Sequence, residues 1–205
     1  MIQKYKQKYK KHSMAFSGGR VEFLWTVMME ILGKQIPGDF VECGVYKGGN
    51  CMVMAEGLKF HFSDRTIWLY DTFTGMPKPS EEDVFHTGKH AKDLWHQGWC
   101  EGTLDTVLKN MEQVGYEHYE LIEGMVEDTI PDVMPDQIVL LRLDTDFYES
   151  TKHELDFLYP RLVKGGYLII DDYHSWQGSR QACDEMLPGE GFERIGSSNA
   201  AYLIK

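Results

Sequence analysis

Two acidic pairs set the chemical problem. In "LLRLDTDFYES", Leu140 to Ser150, an apolar run ends with Asp144 and Asp146 two positions apart. In "GGYLIIDDY", Asp171 and Asp172 follow Leu168, Ile169 and Ile170. If both runs are strands ending on one sheet edge, Asp144, Asp171 and Asp172 converge. Clustered carboxylates repel unless a cation or shared protons compensate. Hard oxygen donors favour magnesium, manganese or calcium over zinc. The plain structural alternative is one helix cap plus ordinary surface acids, and two separate apolar runs ending this way weigh against it.

A second stretch, "ECGVYKGGN", carries Gly44, Gly48 and Gly49. Glycines between a strand and a helix let a ligand approach the backbone, and the helix N-terminus offers free N–H groups to an anion. The spacing is neither G-x-G-x-x-G nor a P-loop. Asp71 closes "TIWLYD". A carboxylate there can accept both hydroxyls of a ribose diol, although a strand-end cap explains it equally well. His86, His90 and His96 lack a distinctive metal spacing and read as loop or substrate-facing residues. Phe73, Trp95, Trp99, Tyr173 and Trp176 are candidates for a pocket wall, with core packing the default for each.

These groups need elements to hold them. Apolar residues at helical spacing over Arg20–Leu32 predict a helix, which Gly33 and Pro37 end. Strands follow at "DFVECG", "TIWLYD", "HYELIEG", "QIVLLRLD" and "GGYLIID", with "FERIG" and "AAYLIK" closing the chain. Helices fit at "KGGNCMVMAEGL", 103–113, 150–161 and 177–187. Alternating strands and helices imply a mainly parallel α/β sheet covered on both faces. The last two strands suggest an antiparallel hairpin. In such a sheet ligands sit at the carboxyl ends of the strands, where all of these acids and glycines fall. Residues 74–102 have no clear periodicity and read as a loop or lid.

Composition narrows the classes. The chain has 205 residues, 42% hydrophobic, with a formal net charge of −11. That charge argues against nucleic acid as the main partner. No apolar run is long enough for a membrane span, and no signal-peptide core is evident, so a cytoplasmic setting is expected. The four cysteines form no C-x-x-C pair. Residues 1–19, with five lysines in the first eleven, read as a solvated, partly mobile basic tail. Residues 20–205 read as one domain.

Taken together, "PGDFVECGVYKGGN", "YDTFTGMP", "LLRLDTDFYESTKHELDFLYPRLVKGGYLIIDDY" and "GSRQACDEML" resemble the macrocin O-methyltransferase (TylF-type) family. The resemblance runs from about Phe16 to the C-terminus. It implies a class I methyltransferase fold, Rossmann-like, with seven strands of which the last is antiparallel. It implies an enzyme that uses S-adenosyl-L-methionine and magnesium to methylate a hydroxyl of a sugar-containing small molecule in natural-product biosynthesis. By the same likeness, Glu42, Gly44, Tyr46, Gly48, Gly49 and Asn50 surround the methionine part of the cofactor. Asp71, Thr72 and Phe73 hold the ribose, and Gly124, Met125 and Val126 lie near the adenine. Asp144, Asp171 and Asp172 are the implied metal ligands, and Asp146 the implied general base. Members of the family often form homo-oligomers.

The chain departs from that family in two places. The portion before the cofactor motif is short, and His174 stands where smaller residues are common. His174 is therefore an alternative base or an acceptor contact. Three rival readings keep parts of this pattern: a catechol-type metal-dependent O-methyltransferase, a non-catalytic nucleotide- or sugar-binding protein, and a nicotinamide oxidoreductase, against which the glycine spacing argues.

Overall fold

The computed structural model describes residues 1–205. Helix α1 (Ile2–Tyr9) and helix α2 (Arg20–Gly33) precede the first strand, β1 (Asp39–Cys43). Then follow α3 (Gly49–Phe60), β2 (Ile67–Asp71), α4 (Leu104–Val114), β3 (Tyr119–Glu123) and the one-turn α5 (Val126–Thr129). The second half holds β4 (Ile138–Leu143), α6 (Tyr148–Leu158), β5 (Leu162–Ile170), α7 (Gln177–Met186), β6 (Glu193–Arg194) and β7 (Ala201–Ile204).

The strands form one sheet in the order β3-β2-β1-β4-β5-β7-β6. The five strands β1 to β5 pair in parallel, and β7 runs antiparallel between β5 and β6. This is the seven-stranded arrangement the resemblance implies. Strand β4 lies at its centre, and all six of its residues are buried. Strands covered on both faces read as unbroken apolar runs, and Arg142 alone interrupts this one. On one face Phe40, Leu69 and Leu140 meet Leu24, Met28 and Ile31 of α2 and Met52 and Leu58 of α3. On the other, Val41, Tyr70 and Leu141 meet Leu155 and Leu158 of α6 and Cys183 of α7. No helix is long and apolar enough to cross a membrane.

Three stretches differ from the sequence reading in detail. Strand β5 starts at Leu162, three residues before the glycines, where Gly165 N–H bonds to the Lys205 carbonyl. Helix α6 stops at Leu158, and Tyr159–Arg161 tighten into a 3-10 turn at Pro160. The short α5 has too few residues to show a period.

The lysine-rich start is a correction. Far from being a solvated tail, residues 2–9 are a helix against α2 and α3, with Tyr5 and Tyr9 buried. The two tyrosines, four apart, share one helix face while the lysines occupy the rest. Tyr9 donates to Glu56 at 2.5 Å, and Lys8 and Lys6 pair with Glu56 and Glu22 at 3.0 and 2.7 Å.

The 74–102 stretch is irregular, with one 3-10 turn at Ala91–Asp93. It is nonetheless anchored. Buried Asp83 accepts from the Ser80 N–H and hydroxyl at 2.7 and 2.8 Å and from the Tyr148 N–H at 2.8 Å. Phe85, Met76 and Trp99 pack on a small cluster of Ala91, Phe147 and Trp176.

Candidate active site

A cavity of about 590 Å³ opens over the carboxyl ends of the parallel strands. Its size suits a nucleoside-sized ligand. One end is shaped by backbone. Gly44 has φ +79°, and a Cβ there would overlap the Asp144 carbonyl, so the ends of β1 and β4 can approach only because this residue is glycine. Asp71 ties two turns together. Its Oδ2 accepts the Val45 and Tyr46 N–H groups at 2.8 and 3.0 Å, and its Oδ1 accepts the Phe73 N–H at 2.9 Å. Burial pushes the Asp71 carboxyl up, while those backbone donors pull it back.

The other end is acidic. Ligand oxygens of Asp144, Asp171 and Asp172 all lie within 4.8 Å of one another. The register explains the convergence. Cys43 pairs with Leu143, and Leu143 with Ile170, so the next residue on each strand emerges at one edge. Arg142 lies beneath that edge, 3% exposed. Its Nη1 donates to Glu42 Oε1 at 2.5 Å and to Asp144 Oδ2 at 2.8 Å, and its Nη2 donates to Asp171 Oδ1. From α2, Arg20 pairs with the other Asp171 oxygen.

Burial pushes the Asp144 carboxyl well above the usual range, Arg142 pulls it down, and Asp171 and Asp172 add to the rise. Asp171 is raised by burial against the same pull from Arg142. Asp146 is raised well above normal by burial, then by the charge of Asp172 and a hydrogen bond with it. For Arg142, burial opposes the charge, but Asp144, Asp171 and Glu42 outweigh it and hold the guanidinium protonated.

Asp146 also carries strain. Its φ is +67°, and the Phe147 N–H bonds to the Thr145 carbonyl across it at 2.8 Å. A three-residue turn with positive φ is rare, and such backbone persists where the surroundings fix it.

Most of the expected residues meet here. Gly44, Tyr46, Asn50, Asp71, Thr72, Gly124, Met125 and Val126 line the cavity, as do Asp144, Asp146, Asp171 and Asp172. Glu42, Gly48, Gly49 and Phe73 do not reach it. Glu42 is buried behind Asn50, whose amide donates to it at 3.0 Å, and Gly49 gives its N–H to the His12 carbonyl. His174 is also outside the lining. Its ring stands edge-on to Tyr173 at 5.0 Å, and the turn after Asp172 aims Ser175 inward instead. His86, His90 and His96 stay away from the cavity, as do the five aromatic candidates for its wall.

Sequence reasoning passes over three contributors: Arg142, Arg20 and the segment from Ser13 to Gly18, which lines the cavity at Ser13, Met14, Ala15, Ser17 and Gly18. A signal existed for the first. A lone arginine inside an apolar strand run requires buried anionic partners.

The strand order, the single reversed strand and a cavity at the strand ends define a class I methyltransferase fold. Solved structures agree. The O-methyltransferase NovP superposes with a TM-score of 0.83 at 29% identity, over 95% of this chain and 82% of that one. The calicheamicin methyltransferase CalS11 has the same fold, with a TM-score of 0.69 at 21% identity over 98% and 91% of the two chains. The chain belongs to the Macrocin-O-methyltransferase (TylF) family, which matches residues 9–192. It is 33% identical over 174 residues to demethyldecarbamoylnovobiocin O-methyltransferase of Streptomyces niveus, covering 81% of this chain and 64% of that protein. It is 35% identical over 148 residues to mycinamicin III 3''-O-methyltransferase of Micromonospora griseorubida, covering 67% and 56%. The chain thus spans less than two thirds of the length of these curated relatives.

Proposed function

We propose that the protein transfers a methyl group from S-adenosylmethionine to a hydroxyl of a sugar or glycosylated small molecule, with a divalent cation at the acidic end of the cavity. The observation that carries this reading is the joining, in one cavity, of a backbone-shaped end at Asp71 and a three-carboxylate end at Asp144, Asp171 and Asp172. Family membership and the O-methyltransferase names of the relatives support it.

The residues fit a hard divalent ion. Asp144, Asp171, Asp172 and the adjoining Glu42 face two guanidinium groups, Arg142 and Arg20. Three carboxylate ligands also match magnesium or manganese chemistry. When bound, the cofactor supplies an electrophilic methyl group and the ion an electrostatic anchor for the acceptor oxygen.

The chain's own residues do the remainder. Asp71 and Asn50 orient the cofactor end, and Asp144, Asp171 and Asp172 hold the ion. Asp146 receives the acceptor's proton from its place in the cavity lining beside the three carboxylates. Its turn geometry holds it beside Asp172. Residues of the 13–18 segment and Gly75 to Pro77 form part of the cavity wall.

A labelled-methyl assay with S-adenosylmethionine, magnesium and paired acceptors, each glycoside beside its sugar-free core and simple catechols, tests the proposal. Methylation of glycosides that a chelator abolishes is the expected result. Transfer to catechols alone, or undiminished transfer in chelator, overturns the sugar or the metal part respectively.

A further inference from the structure

We infer that Arg142 is a positioning residue that couples the cofactor end of the cavity to its metal end, so that filling one site strengthens the other. The inference rests on the reading that Asp144, Asp171 and Asp172 hold a divalent ion.

Arg142 does not touch the cavity; it is 3% exposed and lies beneath its floor. It nonetheless joins residues that do. Asn50 lines the cavity at the start of α3 and donates to Glu42 Oε1 at 3.0 Å. The same Glu42 oxygen accepts Arg142 Nη1 at 2.5 Å, and Cys51 donates to the other oxygen at 2.7 Å. Arg142 then reaches Asp144 through Nη1 and Asp171 through Nη2. One rigid guanidinium thus separates a cofactor-lining amide from two metal-facing carboxylates, with a single hydrogen bond at each step.

This is more than a buried ion pair requires. Glu42 and Arg142 are register partners on adjacent strands, and Glu42 takes only one of the guanidinium's hydrogen bonds. An ion pair kept only for stability is replaceable by apolar side chains at little cost. Here the fork also reaches Asp144 and Asp171, which line the cavity. A planar fork holds several acids in fixed relative geometry, which a point charge cannot do. An ion that orders Asp144 and Asp171 therefore orders Arg142, Glu42 and Asn50 in turn. The cofactor then meets a site already arranged, which is positive cooperativity without any large movement. Linkage makes the effect reciprocal.

The test is a binding cycle that needs no turnover. Calorimetry measures S-adenosylhomocysteine affinity with and without Mn²⁺, and Mn²⁺ affinity with and without S-adenosylhomocysteine. In the wild type each ligand should tighten the other by about fivefold or more, by the same factor both ways. In Arg142→Lys, which keeps the charge and loses the fork, both ligands should still bind and the factor should fall to about one. Glu42→Gln breaks the path from the other side and should also collapse the factor; it decides the matter if the lysine variant does not fold. A loss of stability alone lowers the melting temperature and leaves the ratio intact. A ratio retained in both variants, or absent from the wild type, overturns the coupling. If wild-type protein binds no Mn²⁺, or binds it equally well in Asp144→Ala, the metal reading itself fails and the coupling with it.

Discussion

Two of the regions in which this molecule buries acid are handled in opposite ways. At the sheet edge Glu42, Asp144 and Asp171 crowd around Arg142, with Arg20 beside them. On the far side of the sheet Glu154 of α6 is fully buried with no cation. Thr145 donates to its Oε2 at 3.1 Å, and its Oε1 has no partner. Burial raises both glutamates, but Arg142 pulls Glu42 back, whereas Glu154 is left well above the usual carboxylate range. Burial thus biases Glu154 towards its neutral form, with no cation to oppose it. The edge acids keep cations close, which lets a group of negative charges exist where the proposed divalent ion would sit.

The sharpest way to break that contrast is Asp144→Ala. We expect transfer to fall on the order of 10³-fold, with divalent-ion affinity lost by calorimetry. Asp146→Asn should lower kcat on the order of 10²-fold while leaving ion affinity nearly unchanged. Equal loss of affinity in both would remove Asp146 as the base and make it a ligand. Asp71→Asn probes the backbone-held end. It weakens three hydrogen bonds to one carboxylate, so S-adenosylhomocysteine affinity should drop by about tenfold, from roughly 1.5 kcal/mol of charge-assisted bonding. The rate at saturating cofactor should change little.

The smallest effect belongs to Glu154→Gln and depends on pH. Burial favours the protonated form of Glu154 in the fold, while the unfolded chain releases that proton above its ordinary value of 4.5. The unfolded state then binds fewer protons, so stability falls as pH rises from there towards the native value, by about 1.4 kcal/mol per unit at most. Glutamine removes that loss. Parent and variant should melt together near pH 4, and the variant should pull ahead at pH 8. Equal melting at both pH values would mean that Glu154 is ionised in the fold, and the contrast between the two regions would disappear.

The acidic strand ends are legible in the sequence because parallel strands write themselves as apolar runs, and whatever follows such a run lands on one edge. Gly44 is legible for a similar reason, since a glycine after a strand signals close backbone approach. Arg142 is written in "LLRLD" just as openly, but which acids surround it depends on the lateral register of β1, β4 and β5, and no single strand encodes that. Tyr5 and Tyr9 repeat only once, too briefly for a period to stand out from the lysines. The placing of Ser175 inside and His174 outside turns on one bend, which residue types do not specify. Asp83 is further from reach still, because its partners at Ser80 and Tyr148 are joined only when the irregular loop folds back on α6.

A basic leader is an inviting segment to trim before crystallisation. Here residues 2–18 are wall as well as leader. His12 gives its carbonyl to Gly49, Ser13 to Gly18 line the cavity, and Arg20 grips the Met14 carbonyl and the Ser17 hydroxyl while pairing with Asp171. A protein cut at residue 18 would keep the glycine and acidic motifs and lose only the first ten of the residues that match the family, 9–192. It would also have lost the contacts by which Arg20 ties these residues to the acidic cluster, and a weak result from it would describe the cut rather than the protein.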